Sequence, residues 1–158
     1  MMDLPVRRSV RLPNFDYSAR SWYFVTLCIQ DKVCRLGKVV GDRVFFSPLG
    51  HVVNWEWLKL RSRYPNIELD EYVVMPNHAH FILRMGGRED RAPTLGKIVA
   101  YYKYQTTKQF NQSTSYPFPK LWQRNYYEHI VRDNTDPERI RRYIRNNPAH
   151  WTIDKLRP

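Results

Sequence analysis

Cysteine is scarce in this sequence, acidic residues are outnumbered, and no long apolar run is present. The 158 residues include two cysteines, Cys28 and Cys34, which form no CxxC pair. That spacing argues against a zinc ribbon and a disulfide framework and fits a reducing cytoplasm. The N-terminal stretch MMDLPVRRSVRLPNFDYSARSW carries arginines but no apolar core, so it is not expected to act as a signal peptide. The longest mostly apolar run, Trp22 to Ile29, is far too short to span a bilayer, and no membrane association is expected. Internal repeats, low-complexity tracts and linkers are missing too. One domain over residues 1–158 is expected, with residues 1–20 as a basic arm.

What is present is positive charge. Lys and Arg number 26 against 15 Asp and Glu, a formal net charge of +11. Such a balance points to a polyanion as partner, nucleic acid before an anionic membrane surface. Aromatic residues make up 15% of the chain, with 11 tyrosines, and unpaired bases stack on such rings.

Hydrophobic periodicity gives the element order. WYFVTLCI is β-branched and aromatic and reads as a central strand. GKVVGDRVFFSP reads as a small hairpin around Gly41 and Asp42. SPLGHVVNWEWLKLRSRYP reads as a helix with a stripe of Val52, Trp55, Leu58 and Leu60, ended by Pro65. IELDEYVVMP and NHAHFILRM are two more strands, or one long strand bent at Pro76–Asn77. TLGKIVAYYKYQTTKQFNQ is a helix with Leu95, Ile98, Val99 and Tyr102 on one face. KLWQRNYYEHIVR reads as a strand. TDPERIRRYIRNNPAHW is a helix capped by Thr135 or Asp136 and stopped at Asn147–Pro148. Without the hairpin and the last helix this is βαββαβ: an α+β, ferredoxin-like fold, with an antiparallel sheet and helices on one face.

The chemistry concentrates in MPNHAHFIL. Side chains at i and i+2 of a strand share a face, so His78 and His80 project together and can chelate one metal ion. Two ligands are too few for a metal site on their own. Position 82 is Ile, which argues against a histidine-triad nucleotide hydrolase. On the last helix, Tyr143 and Asn147 stand four apart on one face. A phenol can act as nucleophile and an amide oxygen as a third ligand. Arg141, Arg142 and Arg145 flank them, and nearby positive charge favours phenolate and holds phosphate.

The ordered set YVVMPNHAHFIL, LWQRNYYEHIVRD and YIRNNP resembles the REP-associated tyrosine transposases, relatives of the single-tyrosine HUH transposases. The likeness runs from YSARSWYFVTL to YIRNNPAHW. It implies a ferredoxin-like HUH domain with a C-terminal helix carrying the nucleophile, Tyr143. It implies that His78 and His80 are the HUH pair, and that Asn147 falls where related transposases carry a polar metal ligand, often glutamine. The cofactor is then Mg²⁺ or Mn²⁺, and the partner is single-stranded DNA with a hairpin. The expected reaction is nicking and rejoining through a 5′-phosphotyrosine. Tyr126 and Tyr127 are rival nucleophiles. Arg7, Arg8, Arg11, Lys103, Lys108, Gln123, Arg124 and Arg142 are candidate DNA contacts. Monomer and homodimer both remain open.

Two other classes compete. A non-enzymatic ferredoxin-like nucleic-acid binding module is one, although the aromatic run of RNA-recognition strands is missing. A metal-dependent hydrolase of small phosphoesters is the other, and it has no use for the large positive charge.

Overall fold

The computed structural model describes residues 21–86, 93–131 and 136–158. The arm at residues 1–20, with Arg7, Arg8 and Arg11, and the cap candidate Thr135 lie outside the described residues. Among the described residues, six strands and three α-helices follow in order: β1 (Trp22–Cys28), β2 (Gly37–Val40), β3 (Arg43–Phe46), α1 (Pro48–Arg63), β4 (Ile67–Val74), β5 (His78–Met85), α2 (Leu95–Ser113), β6 (Tyr127–Val131) and α3 (Asp136–Asn146). The main sheet has the order β4-β5-β1-β6, antiparallel throughout. That is the ferredoxin-like arrangement. IELDEYVVMP and NHAHFILRM form two strands, β4 and β5, rather than one bent strand. β2 and β3 form a separate hairpin whose turn needs a positive φ, supplied by Gly41 at 65°.

Strand alternation divides the sheet into two unlike faces. Tyr23, Val25 and Leu27 of β1, with Ala79, Phe81, Leu83 and Met85 of β5, are buried under α1 and α2. Trp57 of α1 stacks on Phe81 at 4.1 Å between ring centroids. Tyr102 of α2 packs edge-on against both rings and donates its hydroxyl to Val53 O at 2.7 Å. Ser47 caps α1 through Gly50 N, and Thr94 caps α2 through Lys97 N.

The apolar stripe read for α1 needs correction. Trp55 is 62% exposed and Leu58 47%, whereas Leu49, Val53, Trp57 and Leu60 are buried. The buried positions recur at steps of four, four and three, the seam of a helix lying on a sheet. The strand read over KLWQRNYYEHIVR is also shorter, covering Tyr127–Val131. Upstream, Leu121 and Gln123 still bond the end of β1 and the residues just after it, through Gln123 N to Cys28 O and Gln30 N to Leu121 O, both 2.8 Å. The segment thus meets β1 twice, with a break between.

Trp122 fixes that break. Its indole donates to Thr106 Oγ1 at 2.8 Å, and Thr106 is fully buried. Replacing Thr106 with valine keeps the shape and strands the indole N–H. The expected loss is about 1–3 kcal/mol, read as a lower urea midpoint with an unchanged slope.

The opposite face of the sheet carries Trp22, Phe24, Thr26 and Cys28 of β1 and His78, His80, Ile82 and Arg84 of β5. α3 covers only part of it. Ile140 and Ile144 pack on Ile82, Phe24 and Val73. The histidine end of this face is left for other groups.

Candidate active site on the second face of the sheet

The PN that precedes the histidines shapes the site. Backbone bonds from Leu36 N to Pro76 O, Ile29 N to Asn77 O and Met75 N to His78 O pin the turn between β4 and β5. Asn77 is buried, and its amide nitrogen donates to Lys32 O at 3.1 Å and Leu156 O at 2.7 Å. Those two carbonyls fix the amide's orientation, so its oxygen faces His78 Nδ1 at 2.8 Å. His78 therefore carries its proton on Nδ1 and leaves Nε2 as a lone pair. His80 is held likewise by Thr26 Oγ1, 2.7 Å from Nδ1, and by Phe24, which stacks on its ring at 5.3 Å. The two imidazole centroids are 4.7 Å apart.

α3 brings Tyr143 to this pair. Its hydroxyl lies 3.5 Å from His80 Nε2, a contact at the limit of a hydrogen bond. One turn further on, Asn147 is buried, and its amide interacts with both Tyr143 and His78. The helix is tied down at its back. Arg141 Nε lies 3.0 and 3.1 Å from the oxygens of Asp70, at the irregularity in β4 between Leu69 and Tyr72. Arg145 Nη1 lies 3.0 Å from Glu71, and its Nη2 binds Glu138.

These pairs overturn one expectation. Arg141 and Arg145 do not support a phenolate at Tyr143, because residues two apart on a helix point about 200° away from each other. They hold the carboxyl of Asp70 below its usual range instead. Burial raises the Tyr143 phenol above its ordinary value, with the nearby Asn147 amide opposing and the Asp154 carboxylate adding to the rise. Arg142 is exposed and has no ion pair among the described residues.

Burial keeps both histidines neutral. It drives His78 down to about 4, opposed by the charge of Asp154 and by the nearby Asn147 amide, and holds His80 well below 6.5. The consequence for stability has a definite sign. Between about 4 and 6.5 the unfolded chain binds a proton at His78 that the folded chain refuses, so stability falls as pH drops through that window. Thermal melts of the protein in EDTA should show the midpoint falling from pH 6.5 toward pH 4.

Three buried acceptor atoms in this site have no hydrogen-bond partner: His78 Nε2, Asn147 Oδ1 and Asp154 Oδ2. Among the described residues no three His, Cys, Asp or Glu side chains form a metal-holding group on their own. The donor set thus needs the Asn147 amide. Converging unpaired lone pairs on nitrogen and oxygen fit a divalent cation.

An open groove of about 690 Å³ runs past Phe24, Thr26, His80, Tyr143 and Asn147, with Lys155 on its wall. Tyr127 also lines it and is 60% exposed, whereas Tyr126 lies under the Lys103 ammonium at 5.5 Å. Of the rival tyrosines, only Tyr127 shares the groove with Tyr143. The other candidate DNA contacts are not gathered here. Lys103 donates to the carbonyls of Gln123 and Arg124 at 2.8 and 3.3 Å, and burial lowers it to about 8. Lys108 is exposed on α2, behind the sheet, over the Tyr104 ring. Gln123 is half-buried and Arg124 exposed in the bend before β6. Of the remaining histidines, His51 packs edge-on against Phe46, His129 lines a hollow beside Tyr143, and His150 lines the groove. Thr26 and Asp154 carry no motif of their own and were not legible as site residues, and Asn77, although inside MPNHAHFIL, gave no sign of its orienting role.

Fold and site together define a ferredoxin-like domain with a same-face histidine pair and a helix-borne tyrosine. Comparison with known proteins gives the family: residues 55–147 match the IS200-like transposases. The chain belongs to that family. A Haemophilus influenzae protein named only as uncharacterized is 32% identical, over 95% of this chain and 92% of its own length. A second protein of that organism, named as a REP-associated tyrosine transposase, is 24% identical over 85% of this chain and 73% of its own. Among solved structures, a REP-associated tyrosine transposase bound to a REP hairpin superposes with a TM-score of 0.69 at 19% identity, covering 92% of this chain and 76% of that one. A Deinococcus radiodurans R1 protein named as a transposase superposes at 0.53 with 13% identity, over 86% and 95%. Among the described residues no helix is long and apolar enough to cross a membrane.

Proposed function

We propose that this chain nicks and rejoins single-stranded DNA beside a palindromic hairpin, with Tyr143 as the nucleophile. The observation that carries this reading is the Tyr143 hydroxyl, 3.5 Å from His80 Nε2 at the edge of a cluster of unpaired acceptors. The match to IS200-like transposases, and a structural neighbour bound to a REP hairpin, support it.

In this reading the phenol gives up its proton to solvent as its oxygen bonds to the scissile phosphorus, and the P–O3′ bond breaks. The DNA 5′ end stays on Tyr143 and a free 3′-OH leaves with a proton from solvent. Attack by a 3′-OH on the phosphotyrosine reverses the step, so no nucleotide cofactor is consumed. A divalent cation, Mg²⁺ or Mn²⁺, held by His78, His80 and Asn147 would polarise the phosphate and offset transition-state charge. Thr26 and Asn77 orient the two imidazoles, as partners of ligating histidines generally do. The bidentate Arg141–Asp70 pair fixes the azimuth of α3, and with it the reach of Tyr143.

The test is covalent trapping. Labelled single-stranded DNA with a hairpin and flanks is incubated with the protein and Mg²⁺ or Mn²⁺, and the products are run on a denaturing gel. A labelled protein band is expected. Tight binding of this DNA with no adduct under either ion would favour the non-enzymatic binding module.

A further inference from the structure

We infer that Asp154, in the segment after α3, is a ligand of the divalent cation, so that the C-terminal segment completes the metal site. This rests on the proposed metal-dependent reading and adds to it a residue outside the strand pair and the helix.

The argument starts from protons. His78 Nδ1 donates to Asn77 Oδ1, an amide whose direction is fixed by two carbonyls. His78 Nε2 is then a lone pair, and it faces Asp154 Oδ2 at 3.6 Å. Both atoms are buried, and neither has a hydrogen-bond partner. The His78 side chain is fully buried and that of Asp154 is 6% exposed. Two acceptors therefore face each other out of water, beside a third unpaired acceptor, Asn147 Oδ1. Leaving buried acceptors unpaired destabilises the fold, and a carboxylate more than a neutral group. A cation between them removes that cost and converts the repulsion into coordination.

Asp154 does not reach this position by chance of a loose tail. Its other oxygen accepts from Leu156 N at 2.7 Å, which fixes the carboxylate plane. Leu156 O is held by the same Asn77 amide that orients His78. Trp151, in the short 3₁₀ turn Trp151–Ile153, lies against the His78 ring at 6.1 Å between centroids. One buried asparagine thus sets both the imidazole and the segment that brings the carboxylate to it.

The experiment is Mn²⁺ titration of the full chain by calorimetry, with melting curves in EDTA and in Mn²⁺. Asp154→Asn keeps the size and the bond from Leu156 N. It should weaken Mn²⁺ binding at least about 10-fold and shrink the Mn²⁺-induced rise in melting temperature. In EDTA it should melt at or above the wild-type temperature, because the facing lone pairs are relieved. A purely structural tail clasp predicts the opposite sign in EDTA. Lys38→Ala, exposed on β2 in the separate hairpin, should change neither quantity. Unchanged Mn²⁺ affinity in Asp154→Asn, with binding lost in His78→Ala, overturns the role of Asp154 and leaves the metal-dependent reading standing. No Mn²⁺ or Mg²⁺ binding by the wild type overturns both. If Asp154→Asn fails to fold, Asp154→Ser is titrated in its place, and the same affinities decide.

Discussion

Tyr143→Phe should abolish the covalent protein–DNA adduct while leaving the fold and hairpin binding intact. The loss of strand cleavage should be at least about 10³-fold, the scale on which removal of an attacking group is felt. The structure makes this a clean substitution. Tyr143 is 49% exposed, and the hydroxyl makes one contact near the hydrogen-bond limit, to His80 Nε2. The ring keeps its edge-on packing against Phe24 at 6.2 Å and against His80 at 5.3 Å. Losing a half-exposed hydroxyl with so weak a contact should cost no more than about 1 kcal/mol of stability, so matching melting curves separate a missing adduct from unfolding. Tyr127→Phe is the matched control, since Tyr127 lines the same groove and is more exposed. Its adduct should match the wild type. An adduct that survives in Tyr143→Phe and vanishes in Tyr127→Phe would move the nucleophile from α3 to β6.

How much of this was readable beforehand divides along physical lines. The βαββαβ order was legible because each element has its own hydrophobic period, and the sheet order follows from the fold that this order allows. The same-face placement of His78 and His80 was legible because strand alternation is rigid. The burial stripe of α1 was not: Trp55 and Leu58 are large apolar residues facing water, and composition does not say which of two apolar stripes meets the sheet. The arginines around Tyr143 misled for a different reason. Nearness in sequence suggested nearness in charge, yet the helix turns Arg141 and Arg145 onto its far side, toward Asp70 and Glu71. Those acidic partners, in LDEY of β4, carried no signal because ion pairing across elements depends on register. Asp154 was invisible for the same reason. Its relevance comes from Asn77, which holds Leu156 and His78 at once across the chain.

His80→Ala should lower cleavage at least about 10²-fold, and combining it with Tyr143→Phe should cost little beyond the tyrosine change alone. The double variant matters because groups that act as one unit give grossly non-additive losses, whereas independent contributions multiply. Here the imidazole and the phenol touch, and Phe24 packs against both. Unlike Tyr143→Phe, the histidine change is not silent in the fold. It removes a buried ring, opens a cavity beside Phe24 and leaves Thr26 Oγ1 without its partner at 2.7 Å. A loss of about 1–3 kcal/mol is expected, so rates are to be compared well below the melting temperature. Hairpin binding, read by gel shift at the same salt, should stay near the wild-type value, because phosphate contacts by surface cations dominate affinity. If instead His80→Ala abolishes binding and cleavage together, the imidazole contributes to gripping DNA rather than to the step at Tyr143. If the double variant loses the product of the two single losses, the phenol and the imidazole do not share one transition state. The expected pattern, two large single losses that fail to multiply, is the kinetic counterpart of one 3.5 Å contact between a helix tyrosine and a strand histidine.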